Sequence, residues 1–293
     1  MKTALHPILF SFTLAFALTA GVSAQAQALN YQNYNVIVFN DLSTDSNIFG
    51  RTFIGNNLLG GNSGDYGNQL PSTISASDRT LVVGGDILSS SSGIQVQRGS
   101  VYVDGSVNRA INFNGTDSSG NHGTIVADHS IDSATSSIRG YSIAQSEALR
   151  ALMADSTVSF PTSSSQPGNI VFTATPGSDG LAVFNVNAAD IFSNSKAQSI
   201  LLNAPANTNI VINVGGTSID FNQGNFGGDF LTDYAQAHVL WNFYEATSIS
   251  INRNFNGGIL APYASITNTS SIDGIVVANN LYAHAQVHTP VAY

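Results

Sequence analysis

Five short phrases recur along this chain with one grammar. They are FIGNNL (Phe53–Leu58), VVGGDI (Val82–Ile87), YVDGSV (Tyr102–Val107), VADHSI (Val126–Ile131) and VVANNL (Val276–Leu281). Each places a β-branched or aromatic strand before small or turn-forming residues and then an aliphatic. Ile54 to Leu58, Val83 to Ile87, Val103 to Val107 and Val277 to Leu281 keep the spacing apolar–xxx–apolar, while the remaining phrase fits with Ala127 inward before Ile131. A unit this short cannot bury its own apolar side chains, so such units stack and share one core. The pattern predicts a mostly β chain: a right-handed parallel β-solenoid. Gly84, Gly85, Gly105 and Asn56 fall at the expected corners, where a positive φ is easily adopted.

Composition agrees. Apolar residues make up 43% of the chain, enough for a core, but charged residues only 9%, against roughly 25% in average soluble proteins. Stacked rungs set like residues roughly 4.8 Å apart. Rows of like charge repel at that distance, whereas rows of Asn, Ser and Thr hydrogen-bond. The net charge of −9 and the presence of only two lysines, Lys2 and Lys196, disfavour nucleic acid as a partner. Cysteine is absent, so core and backbone ladders alone hold the fold.

The first 28 residues carry one Lys, an apolar run from Ile8 to Ala20 and then small residues around Ala24, Ala26 and Ala28. That is the pattern of a secretory signal cleaved near 24–28, and the run is short of the ~20 residues a membrane span needs. The expectation is an exported protein with residues 29–293 as one domain and no transmembrane segment in the mature chain. A single segment breaks the β pattern: residues 142–156 place Ile143, Leu149, Leu152 and Met153 at helical spacing, with Ser142 as cap. One long helix is expected there, packed alongside the solenoid.

From about Tyr31 to His288 the sequence resembles the choice-of-anchor A family of exported proteins. The likeness rests on the opening YNVIVFNDL (Tyr34–Leu42), the VVGGDI rung, and the late VLWNF (Val239–Phe243), Ala246–Thr247 and GGILAP (Gly257–Pro262). It implies a secreted or surface-attached domain and supplies no catalytic residues. A looser likeness links Trp241–Phe243, Phe255–Ala261, Ser265–Thr267 and Ile272–Leu281 to solenoid-plus-helix ice-binding proteins.

The chemistry on offer is sparse. Thr267 and Thr269 stand at strand spacing on one face and are candidate surface-contact residues for ice or crystal binding, although T-x-T does not recur from rung to rung as a regular array would. Asp86, Asp104 and Asp128 recur at similar places in successive rungs as candidate corner carboxylates. They suggest a Ca²⁺ row or, if paired, glycoside hydrolysis, but corner residues bonding backbone is the simpler reading. His284 and His288 lack an evident third ligand, and neither nucleotide nor nucleophile motifs occur. Trp241, Phe243 and Tyr244 read as core rather than a sugar platform. The residues therefore favour a non-catalytic structural or adhesion-type exterior domain, without cofactor or metal. Its uncharged polar faces would meet an extracellular surface, polysaccharide or matrix component, and its exposed strand edges would allow end-to-end self-association. The alternatives are ice binding through a flat Thr/Ser/Asn face and, third, a carbohydrate-active enzyme.

Overall fold

In the computed structural model, which describes residues 33–61, 64–162 and 166–289, nearly every strand pairing is parallel. Three walls enclose one interior. The first wall stacks ten strands, running from Ile125–Ala127 through Ser100–Val103, Arg79–Val83, Thr52–Ile54 and Val36–Val38 to Val276–Ala283, Gly258–Asn268, Val239–Asn242, Asn209–Gly215 and Leu181–Asn187. The second wall is built from Ser218–Phe221, Ser248–Ile251, the C-terminal parts of Gly258–Asn268 and Val276–Ala283, and Leu42–Thr44. It continues through bridges at Leu58, Ile87 and Val107. The third wall comprises the four-stranded and seven-stranded sheets.

The strand order shows how the chain is threaded. It enters in the middle at Val36–Val38 and winds outward to Ile125–Ala127. A single helix, α1 (Ile131–Arg150), follows, and at 1.5 Å per residue it travels about 30 Å. The chain then restarts at the opposite end and winds back, until Val276–Ala278 pairs in register with Val36–Val38. The first and last coils thus meet at a seam inside the stack.

The first wall is buried on both sides, which is why its strands read as unbroken apolar runs. Val36, Val38, Ile54, Val83 and Val103 face the interior. Ile37, Phe53, Val82, Leu260 and Val277 face outward against Ile131, Ile138 and Leu149 of α1. Toward the C-terminal end of the helix polar contacts join the apolar one made by Leu149. Asn242 Nδ2 donates to Asn213 Oδ1 at 2.8 Å, Asn213 Nδ2 to Asn185 Oδ1 at 2.9 Å, and Ser146 Oγ of α1 to Asn242 Oδ1 at 2.6 Å. Inside the solenoid, Trp241 is fully buried among Phe172, Phe226, Phe230 and Phe255, with ring centroids 5.5–5.8 Å away.

The expected solenoid with a long accompanying helix is present, with four local corrections. The helix covers Ile131–Arg150 rather than 142–156, so Ser142 is a buried mid-helix residue and Met153 lies beyond the end, 88% exposed. Docking of Ile131 and Ile138 overrides the weak helical propensity of the Ser/Thr-rich first half. Accordingly Ile131 starts the helix instead of completing a rung. In the last rung phrase Ala278, not Val277, aligns with inward Val38 and Ile54. The corner glycines serve close approach rather than positive φ: a Cβ on Gly84 would sit 2.4 Å from the Gly55 carbonyl oxygen, and one on Gly105 2.5 Å from that of Gly85.

Strand Thr157–Ser159 pairs antiparallel with Gly168–Thr173 and closes the third wall at one end. At the other end Ile125 is 47% exposed. No helix of the described residues is long and apolar enough to cross a membrane. The signal-like residues 1–28 lie outside the described residues.

Candidate functional site

The first wall is covered by α1, leaving the second and third walls facing solvent. On the second wall inward Ile219, Ile249, Ile266 and Leu281 fix the register by burial. Alternation then forces their neighbours outward. One outward row reads Ser218, Ser248, Ser265 and Asn280, and a second reads Asp220, Ser250, Thr267, Tyr282 and Ser43. The first row continues across the seam as Asp41, Asn57, Asp86 and Ser106 in a ladder of side-chain to backbone bonds. Asn280 Oδ1 accepts from Asp41 N at 3.1 Å, Asp41 Oδ1 from Asn57 N at 3.0 Å, Asn57 Oδ1 from Asp86 N at 2.8 Å, and Asp86 Oδ1 from Ser106 N at 2.7 Å. These bonds pin side chains that would otherwise rotate freely. The wall is a lattice of mostly small polar groups, preorganised along this ladder, with no lysine or arginine in either row.

Thr267 sits in the middle of this lattice, half-buried between Ser250 and Tyr282. Thr269 lies one step further, at the corner toward the third wall, where its Oγ1 donates to Asn252 Oδ1 at 3.0 Å. The three candidate carboxylates are not one row. Asp86 belongs to the ladder just described. Asp104 and Asp128 do stack, each following the register pair Val103 and Ala127, at the corner beside α1. Asp104 Oδ1 meets His129 Nδ1 at 2.5 Å. Asp128 Oδ1 accepts from Ser130 N at 3.0 Å, and its Oδ2 pairs with Arg79 Nη1 at 2.6 Å. Burial raises the Asp128 pKa, but the bonds from Ser130 and Arg79 outweigh it and hold the carboxyl below its ordinary range. Among the described residues no group of three or more His, Cys, Asp or Glu is placed to hold a metal. His284 and His288 face different partners, Asp45 and Asp273.

Trp241 and Phe243 are core residues, while Tyr244 is half-buried beneath the Arg150 guanidinium, 4.4 Å from its centroid. The ladder residues Asn57 and Asn280 and the helix-docking Asn185, Asn213 and Asn242 were not singled out from sequence. A signal existed for the latter, since these asparagines recur at intervals of 28 and 29 residues.

A family model described as "Putative Ice-binding-like adhesive domain" matches residues 28–289, and so spans all three walls, the seam and α1. The chain belongs to this family. No curated protein matches its sequence. Similar solved structures include an ice-binding protein from an Antarctic biological consortium, 14% identical with a TM-score of 0.37, the match covering 88% of this chain and 86% of that one. An antifreeze ice-binding protein from an Arctic yeast is 11% identical with a TM-score of 0.37, over 89% and 92% of the two chains. One from the Antarctic ascomycete Antarctomyces psychrotrophicus is 11% identical with a TM-score of 0.33, over 89% and 96%. At such values no residue role passes from them to this ice-binding-like adhesive domain.

Proposed function

We propose that this domain is exported and adheres through its second wall to an ordered, hydrogen-bonding surface, ice in the first instance. The observation that supports it is the two-row lattice around Thr267: side chains without cationic groups, repeating roughly every 4.8 Å along the stack and roughly every 6.6 Å across it. Where the first row runs on as the Asn280–Asp41–Asn57–Asp86 ladder, its side chains are already pinned and lose little entropy on contact. Membership of an ice-binding-like adhesive family favours ice over the more general matrix contact. The choice-of-anchor A likeness and a cleaved leader near residues 24–28 belong to the same reading. It assigns the domain no catalysis and no cofactor.

Thermal hysteresis and ice-recrystallisation inhibition by the purified chain test the reading. The wild type should be active, Thr267→Tyr and Ser250→Tyr should each remove most of the activity, and Gln95→Tyr on the third wall should leave it intact. Activity missing from the wild type, or lost equally in the third-wall variant, overturns it.

A further inference from the structure

Among the described residues the third wall is broken in one place. Its four-stranded sheet ends at Asn225–Gly228 and its seven-stranded sheet begins at Phe255–Asn256, and the two edges do not pair. The gap forms a cleft of about 430 Å³, within the size range of small-ligand sites. Asn225, Leu231, Arg253, Asn254, Asn256 and Asp273 line it.

Two features mark the cleft as a built site. Asn256 is only 3% exposed, yet among the described residues its carboxamide has no hydrogen-bond partner; only its backbone oxygen is engaged, by Trp241 Nε1 at 3.0 Å. The Asn256 amide atoms are not sealed from solvent and so open on the cleft, where water or a ligand can satisfy them. Beside it, Leu231 is 60% exposed, an apolar side chain held at the mouth of a polar cleft. Arg253 is fixed by two bonds, Nε donating to the Asn222 oxygen and Nη1 to Asn225 Oδ1, both at 3.1 Å.

The lining specifies the chemistry. Carboxamides both donate and accept, as hydroxyl groups do. The single guanidinium is balanced by the single Asp273 carboxylate, itself engaged by His288, so neither an anion nor a cation is favoured. An apolar patch next to donor–acceptor groups matches the C–H face of a sugar ring. We propose that this break in the third wall binds a neutral sugar unit of a polysaccharide. The site is separate from the second-wall lattice and stands independently of the ice reading.

Titration of the ¹⁵N-labelled chain with cellohexaose, laminarihexaose and xylohexaose, with trigalacturonate as the anionic arm, tests it. At least one neutral hexasaccharide should shift the side-chain amide resonances of Asn254 and Asn256. Asn256→Ala and Leu231→Ala should each weaken that binding about tenfold with an unchanged melting temperature, while Thr267→Tyr should leave it unaltered. Three results overturn the proposal: no shift with any neutral hexasaccharide at millimolar concentration, shifts confined to another face, or binding of trigalacturonate alone.

Discussion

Asn280 and Asp41 lie 239 residues apart in sequence, yet Asn280 Oδ1 accepts the Asp41 backbone N–H at 3.1 Å. The same oxygen accepts from Asn40 Nδ2 at 2.9 Å, and Asn280 Nδ2 donates to Ser265 Oγ at 2.9 Å. This residue therefore ties the last coil to the first. Among the described residues the seam is the one junction in the first wall where neighbouring strands are not neighbours in sequence, so no short connection holds it closed.

Replacing Asn280 with Ala should lower stability by about 1–2 kcal/mol, since it removes hydrogen bonds from a half-buried site and leaves backbone groups to find water. Amide hydrogen exchange should quicken at Asp41, with rungs far from the seam little altered. An unchanged Asp41 exchange rate would show that the pairing of Val36–Val38 with Val276–Ala278 holds the seam unaided.

Gly140 stands in the middle of α1, is exposed, and a Cβ built on it meets nothing within 4 Å. Its backbone is helical, so glycine contributes only unfolded-state entropy there. Gly140→Ala should raise stability by about 1 kcal/mol, measured by denaturant midpoint at constant m-value. A decrease would mean that α1 needs a hinge at this point.

The stacked rungs were legible because two-sided burial writes short apolar runs into the first wall and an inward aliphatic returns four residues on, as Ile54/Leu58, Val83/Ile87 and Val103/Val107 show. The helix was legible only in its second half. Residues 131–141 hold a few apolar positions, notably Ile131 and Ile138, among serines, and their helicity comes from docking on Phe53, Val82 and Val277. The threading was not legible at all. Nothing local in Val36–Val38 says that it pairs with Val276–Ala278, because parallel register is set by the whole stack. Of the candidate site, Thr267 was visible as an exposed strand residue, but its lattice of Ser250, Tyr282 and Ser43 required the register.

Trp241 is the only tryptophan of the chain, fully buried, with Nε1 bonded to the Asn256 oxygen at 3.0 Å. Its fluorescence should be blue-shifted in the folded protein and move red in one step on unfolding. Trp241→Ala should cost about 3–5 kcal/mol through the cavity left among Phe172, Phe226, Phe230 and Phe255. Solvent-like emission from the native protein would contradict the packing described.

His129 opens the corner that leads into α1, and its Nδ1 meets Asp104 Oδ1 at 2.5 Å. The hydrogen bond to Asp104, with that carboxylate's charge and a smaller contribution from Asp128, raises the His129 pKa above its ordinary value near 6.5. A raised folded-state value means the imidazolium is favoured in the native state. The pair's contribution to stability is thus complete below about pH 6.5 and is lost as pH rises through the higher folded value. Asp128 on the same corner behaves oppositely: its carboxyl is held low, so its contribution is present above the ordinary carboxylate range and disappears as pH falls through the folded value. NMR titration should place the His129 midpoint above that of the same residue in Asp104→Asn. Identical midpoints in the two proteins would show that Asp104 does not hold the imidazolium in solution.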